Sequence, residues 1–328
     1  MTKTGNATGQ DAREREAKAL GILKSDAQQK DKMDACKELT RVGTAASVPV
    51  LAPLLADEKY SHMARYALEM IPDPSADAAL RDALGKVKGV LRAGVIGSLG
   101  VRKDAKAVEA LAKILKDPDP VTAEAAARAL GKIGSSAAAK AIGDALSGVP
   151  AGSRLNFCEG LLRCAEILPK AEAQAIYDRL RALKDAPKQV LTAGVRGAIL
   201  TRGDAGVAVL LEGLVSDSLP VVYGAVRAAM ELPGAAATKA MAAGLGRLPA
   251  EKQVLLVQAL GRRADAAAVP ALSAVAKGGD KAVRVAAIRA LAEIGDASAK
   301  PVLEGLAGDS DGDVAKAAKE SLNVVPHK

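Results

Sequence analysis

The sequence predicts an all-α chain built by repetition, an α-α superhelix of about ten helix pairs with a period near 31 residues. Internal self-similarity, a fixed grammar of turns and helices, and a core vocabulary almost free of rings carry that prediction. The 328 residues are 49% hydrophobic but only 2% aromatic, with no Trp, one Phe and four Tyr. A large globular core draws much of its buried area from rings. Ala, Leu, Val and Ile suit thin layers of closely stacked helices instead.

The self-similarity is direct. The stretch KGVLRAGVIGSLGVRKDAKAVEAL from Lys88, moved by 100 residues, falls on KQVLTAGVRGAILTRGDAGVAVLL. Val90/Val190, Leu91/Leu191, Gly94/Gly194, Val95/Val195, Arg102/Arg202 and Asp104/Asp204 are among the identities. A finer period appears in the aliphatic residue that closes each first helix. Leu68, Leu99, Leu130 and Leu161 stand 31 apart; the column resumes at Ile199 and continues through Met230, Leu260, Leu291 and Leu322. The step from Leu161 to Ile199 is 38, so the unit near 148–188 is irregular.

In chain order, residues 1–24 read as a flexible leader with a possible capping helix, 25–323 as the solenoid, and 324–328 as a tail. Each repeat opens on an Asp/Pro/Gly segment: DPDP at 117–120, SDSLP at 216–220, GGD at 278–280 and DSDGD at 309–313. Apolar residues at helical spacing follow, as in Val283, Ala286, Ala287, Ala290, Leu291 and Ile294. A turn holding Gly100, Gly134, Gly203 or Gly295 ends the first helix, since glycine takes left-handed backbone at little cost. Asp104, Ser135, Asp204, Asp265 or Asp296 then caps the second helix. Such pairs cannot bury both faces alone, so neighbours must stack, and the expected product is a right-handed superhelix whose concave surface is lined by second helices.

Units such as ALGKIGSSAAAKAIGDAL and VRVAAIRALAEIGDASAKPVLEGLAGDSDGDV resemble HEAT repeats of the short bacterial kind, an armadillo-like helical fold. A narrower resemblance joins SDAQQKDKMDACKELTRVGTAASVPVLAPLLADEKYSHMARYALEMIPDPSADAALRDAL to the N-terminal HEAT region of exported planctomycete and verrucomicrobial proteins. In those proteins a 3-keto-disaccharide hydrolase-type module often follows. The resemblance implies an exported or periplasmic scaffold portion without its catalytic portion, since the sequence ends at VVPHK with no such module. The first residues show no apolar run of a signal peptide, and no later stretch is apolar enough to span a membrane.

The residues offer little to catalysis. His62 and His327 are the only histidines, so no catalytic metal set is expected, and the His-Glu pairs of HEAT-repeat di-iron hydroxylases are missing. No Gly-x-Ser-x-Gly turn and no phosphate-binding loop occurs. No cofactor is expected. Cys36, Cys158 and Cys164 are odd in number and read as small buried hydrophobes.

Two sets of residues stand out. Arg102-Lys103-Asp104, Arg202-Gly203-Asp204 and Arg263-Ala264-Asp265 place Arg-x-Asp at the turn inside a repeat. They are expected to form a structural ladder, each Asp capping its helix and each Arg pairing with an Asp of its own or the next repeat. In the irregular unit, Tyr177, Arg179 and Arg181 are candidates for a partner-binding edge, because Tyr and Arg are favoured at binding hot spots. The expected function is a non-catalytic scaffold for a protein partner or an adjacent domain. A basic cradle for nucleic acid or another polyanion is the alternative. A net charge of +8 supports it only weakly, and the absence of Trp counts against it: HEAT-like DNA glycosylases set aromatic residues beside the lesion, and here Phe157 reads as core.

Overall fold

The structure is a computed structural model that describes residues 4–325; His327 and the end of the expected tail lie outside the described residues. It is helical throughout, with short 3-10 turns and no strand among the described residues. The chain divides into two compact units, Met1–Pro169 and Lys170–Lys328.

The first unit begins with α1 (Thr4–Lys24). Its first helices are α2 (Gln29–Val42), α4 (Ser61–Met70), α6 (Gly89–Val101), α8 (Pro120–Ile133) and α10 (Arg154–Ile167). Its second helices are α3 (Val48–Leu51), α5 (Pro74–Ala83), α7 (Val108–Ile114) and α9 (Ser136–Ala145). The second unit opens with α11 (Lys170–Arg181) and has first helices α12 (Lys188–Arg202), α14 (Leu219–Glu231), α16 (Ala250–Arg263), α18 (Lys281–Ile294) and α20 (Gly312–Leu322). Between them lie α13 (Gly206–Leu214), α15 (Ala235–Gly244), α17 (Val269–Lys277) and α19 (Lys300–Leu306). The irregular stretch is where the chain divides, with α10 in the first unit and α11 packed along α12 in the second.

The openings form as their sequences dictate. Asp119 accepts from the N–H groups of Val121 and Thr122 with Pro120 in the first turn, and Asp280 and Asp311 do the same for α18 and α20. The closing residues Leu68, Leu99, Leu130, Leu161, Ile199, Leu260 and Leu291 are buried, and Phe157 is 1% exposed. Met230 and Leu322 are only half-buried. In α1, the buried Glu16 accepts hydrogen bonds from Thr44 and Ser47, 2.6–3.1 Å long, which fastens α1 to the turn after α2. Burial alone would raise this carboxyl, but the hydrogen bonds outweigh it and hold it below its ordinary value. Cys36, Cys158 and Cys164 are buried free thiols, pushed up to about 11 by burial.

One glycine differs from its expected place. Gly100 lies inside α6, not in the turn, and a Cβ there would stand 2.7 Å from Cα of Ala129. Gly131 meets Cα of Gly160 at the same distance, and Gly261 would approach Cα of Ala290 to 2.9 Å. Small residues on either side of the closing leucine therefore let first helices pack backbone against backbone. The second helices stand farther apart. A stack curves toward its tightly spaced row, so within each unit the first helices, not the second, line the inner face.

Candidate binding groove and Arg-x-Asp turns

The three Arg-x-Asp turns share a sequence and differ in what they do. Arg102 reaches back into the preceding repeat, where Nη1 donates to the carbonyls of Leu68 (2.7 Å) and Ile71 (2.5 Å) and Nη2 to that of Asp73 (3.2 Å). Its Nε and Nη2 fork onto the carboxylate of Asp77, and only 8% of the side chain is exposed. Arg263 repeats the arrangement at the same offsets. It donates to the carbonyls of Ala229 (2.9 Å), Leu232 and Gly234, and to the hydroxyl of Thr238, which stands where Asp77 stands for Arg102. Each guanidinium thus closes the C-terminus of the first helix before it, where unsatisfied carbonyls concentrate negative charge.

The choice of helix explains the need. First helices α8 and α18 end on Gly134 and Gly295 in left-handed conformation, which cap them locally. Helices α4 and α14 run into Ile71-Pro72 and Leu232-Pro233, leave extended, and have no glycine cap. Arg from the following repeat supplies what is missing.

Arg202 behaves differently. It donates to the carbonyl of Ala198 in its own helix (2.8 Å) and to Asp178 of α11 (2.6 Å). Asp178 also accepts from Nε of Arg181 at 3.0 Å. Burial alone would raise the Asp178 carboxyl, but these hydrogen bonds outweigh it and hold it below its ordinary value. The expected pairing within a repeat or with the next one is therefore corrected. Arg102 and Arg263 reach back into the preceding repeat and Arg202 back to α11, because that is where the open carbonyls of α4 and α14 and the carboxylate of Asp178 lie.

The acidic partners divide in the same way. Asp104 accepts from the N–H of Lys106 (3.1 Å) and from Arg81, and Asp265 accepts from the N–H of Ala267 (2.9 Å) and the hydroxyl of Thr238 (2.7 Å). The Thr238 hydrogen bond and the Ala267 N–H hold Asp265 below the usual carboxylate range. Asp204 caps nothing, contrary to expectation. Gly203 adopts φ 61, ψ −136, and the 3-10 turn starts there, two residues early, which places Asp204 inside it, exposed. Lys103 and Ala264 hold left-handed φ of 54 and 52 at the same point.

The residues proposed for a binding edge are largely engaged inside the second unit. The Tyr177 ring lies against Gly197 of α12, and Arg181 pairs with Asp178. Arg179 is exposed and also has an interaction within the chain. His62 is exposed, with a ring nitrogen 3.4 Å from Arg65.

A surface that sequence reasoning passed over lies across α16, α18 and α20. An open groove of about 970 Å³ runs over these three first helices. Val285, Ala286, Ala290 and Ala317 are in its lining, together with Gln258, Arg262, Lys281, Arg289, Glu293 and Glu320. Lys281 is paired with Asp313 and Asp311, whereas Arg262 and Arg289 are exposed and have no ion pair among the described residues. Gln258, Arg262, Arg289, Glu293 and Glu320 all stand two residues before or after a closing leucine. That register was readable in the sequence, but nothing there said that this column faces inward. Among the described residues, no three His, Cys, Asp or Glu side chains converge on a metal position. Nor is any helix among the described residues long and apolar enough to cross a membrane.

The profile of HEAT repeats matches residues 87–151 and 243–323. No curated protein matches the sequence. Among solved structures, Kap121p bound to Ste12p is similar over 95% of this chain and 40% of its own, with TM-score 0.57 at 13% identity. Kap121p alone gives TM-score 0.54 at 14% identity over 96% of this chain and 41% of its own. An engineered protein is 23% identical over 95% of this chain and 98% of its own, at TM-score 0.44. The fold is that of a HEAT-repeat, armadillo-like helical solenoid, and the chain spans about two fifths of the length of Kap121p. Neither the hydrolase-type module nor a planctomycete origin finds support in these likenesses.

Proposed function

We propose that the chain is a non-catalytic scaffold that holds a protein partner or an adjacent domain along the inner row of first helices. The groove over α16, α18 and α20 carries this reading. It is shallow and open, floored by small apolar side chains and rimmed by two arginines without ion pairs. Such a surface offers area and a few charged contacts and no enclosed pocket, which suits an extended partner better than a small substrate. Kap121p, whose fold is similar, is seen bound to Ste12p, and a protein ligand on this chain is consistent with that.

The test compares wild type with the double variant Arg262→Glu and Arg289→Glu, with a fluorescent DNA duplex titrated in parallel at several salt concentrations. A protein partner retained by wild type and lost by the variant supports the scaffold. Duplex binding that falls steeply with salt, with no protein partner affected by the variant, would replace it with the polyanion cradle.

A further inference from the structure

The residue two places after the closing leucine lines the groove in the second unit, at Arg262 and Glu293. In the first unit the same register runs Met70, Val101, Lys132 and Arg163, at steps of 31, on α4, α6, α8 and α10. The column changes character along its length. Met70 is 57% exposed and Val101 48%, and Tyr66, one turn before Met70 on the same face, is 47% exposed. A Cβ on Gly97, which occupies the Tyr66 register on α6, would meet nothing within 4 Å, so a slot lies open beside Val101. Lys132 is half-buried and Arg163 exposed, and neither has an ion pair among the described residues. Nearby charges are few. Arg128 is engaged with Asn156 and Glu124, and Glu159, one turn before Arg163, is exposed and not paired with it.

We infer that this row binds an extended peptide segment carrying two apolar residues followed, in one chain direction, by two carboxylates. The apolar pair seats on Tyr66, Met70, Val101 and the Gly97 slot, and the carboxylates meet Lys132 and Arg163. The spacing fixes the register. Packed helices stand about 8–10 Å apart, and an extended chain advances about 3.3 Å per residue. Successive first helices therefore meet every third residue of the peptide. Clustered exposed apolar side chains of this size mark interaction surfaces, and cations at one end select an acidic flank. The site is separate from the groove of the second unit and names a partner chemistry that the groove does not.

The probe is a fluorescein-labelled peptide of pattern Leu-x-x-Leu-x-x-Glu-x-x-Glu, its reversed order, and a composition-matched peptide with both carboxylates moved beside the leucines. Polarisation with the whole chain should show binding of one order, weakened about tenfold by Val101→Glu and by Arg163→Glu, since the first puts a charge into the apolar seat and the second turns an anchoring cation into an anion. Gly97→Met, which fills the slot on an open helix face, should weaken it as well. Equal binding of the rearranged peptide overturns the inference. So does binding abolished by Arg262→Glu with Arg289→Glu but untouched by Arg163→Glu, an outcome that leaves the groove reading standing. No binding in either order also overturns it.

Discussion

Arg102 and Arg263 on one side, and Arg202 on the other, carry one local signature and hold two kinds of contact. The first two close the end of a neighbouring helix through three or four carbonyls at matched offsets. The third bridges to a half-exposed carboxylate and to its own helix. The distinction resides in what precedes each repeat. Where α4 and α14 end on Ile71-Pro72 and Leu232-Pro233 without a glycine cap, the next repeat's arginine serves as the cap; α10 also ends on Leu-Pro, at Leu168-Pro169, yet Arg202 makes no such contact. Where the preceding unit is irregular, the arginine finds a different acid on α11.

If that difference is real, the largest effect belongs to Arg102→Ala. It strands several helix-terminal carbonyls and leaves Asp77, 20% exposed, without its guanidinium. The expected cost is about 3 kcal/mol, near the range for breaking a buried pair. Arg263→Ala removes similar carbonyl contacts but leaves only a hydroxyl behind, so about 2 kcal/mol is expected. Urea unfolding of both variants checks the order. Equal losses would mean that Asp77 contributes nothing beyond the carbonyls.

The middle residue sharpens the contrast. Lys103 and Ala264 hold left-handed φ despite their Cβ, which costs about 1–2 kcal/mol relative to glycine. Ala264→Gly should therefore stabilise by about 1 kcal/mol. Gly203 sits at φ 61, ψ −136, a region closed to other residues, so Gly203→Ala should destabilise by more than about 1 kcal/mol. A thermal melt in which both changes have the same sign would deny that the turns differ in backbone.

Much of this was legible in the sequence. The 31-residue column of closing leucines located the first helices, because a buried position at each repeat must be filled by a large aliphatic side chain. The caps at Asp104, Ser135, Asp265 and Asp296 were legible because an Asp or Ser before a helix has one strong local use. The direction of Arg102 was not, since its partners lie 25 to 34 residues upstream and include backbone carbonyls, which have no sequence signature. The inner face was missed for a related reason. Gly100 read as a turn residue, whereas it marks the point where two helix backbones touch, and that contact decides which row is crowded.

Acid should expose the charge in the Arg202 contact. The folded-state pKa of Asp178 is depressed, so its pairing contributes stability above the unfolded value, about 3.9, and loses it as pH falls through the lower folded value. The difference between wild type and Asp178→Asn, measured by urea midpoint, should be constant at neutral pH and shrink below about pH 4. A difference that persists unchanged at pH 2 would assign the stability to packing of α11 instead of to the charge.

The smallest effect is expected at Asp204. By sequence it equals Asp104 and Asp265, and a reading based on the motif alone gives all three the same loss. In the structure, Asp104 and Asp265 accept from the N–H two residues on, while the early 3-10 turn at Gly203 leaves Asp204 exposed and capping nothing. Removing an N-terminal cap costs about 1 kcal/mol, and an exposed surface change stays within about 0.5 kcal/mol. Asp104→Ala and Asp265→Ala should therefore lower the urea midpoint, the former further because Arg81 also loses its acid. Asp204→Ala should leave the midpoint where it is. A loss at Asp204 equal to that at Asp265 would show that the three turns work alike, and the comparison between them would collapse.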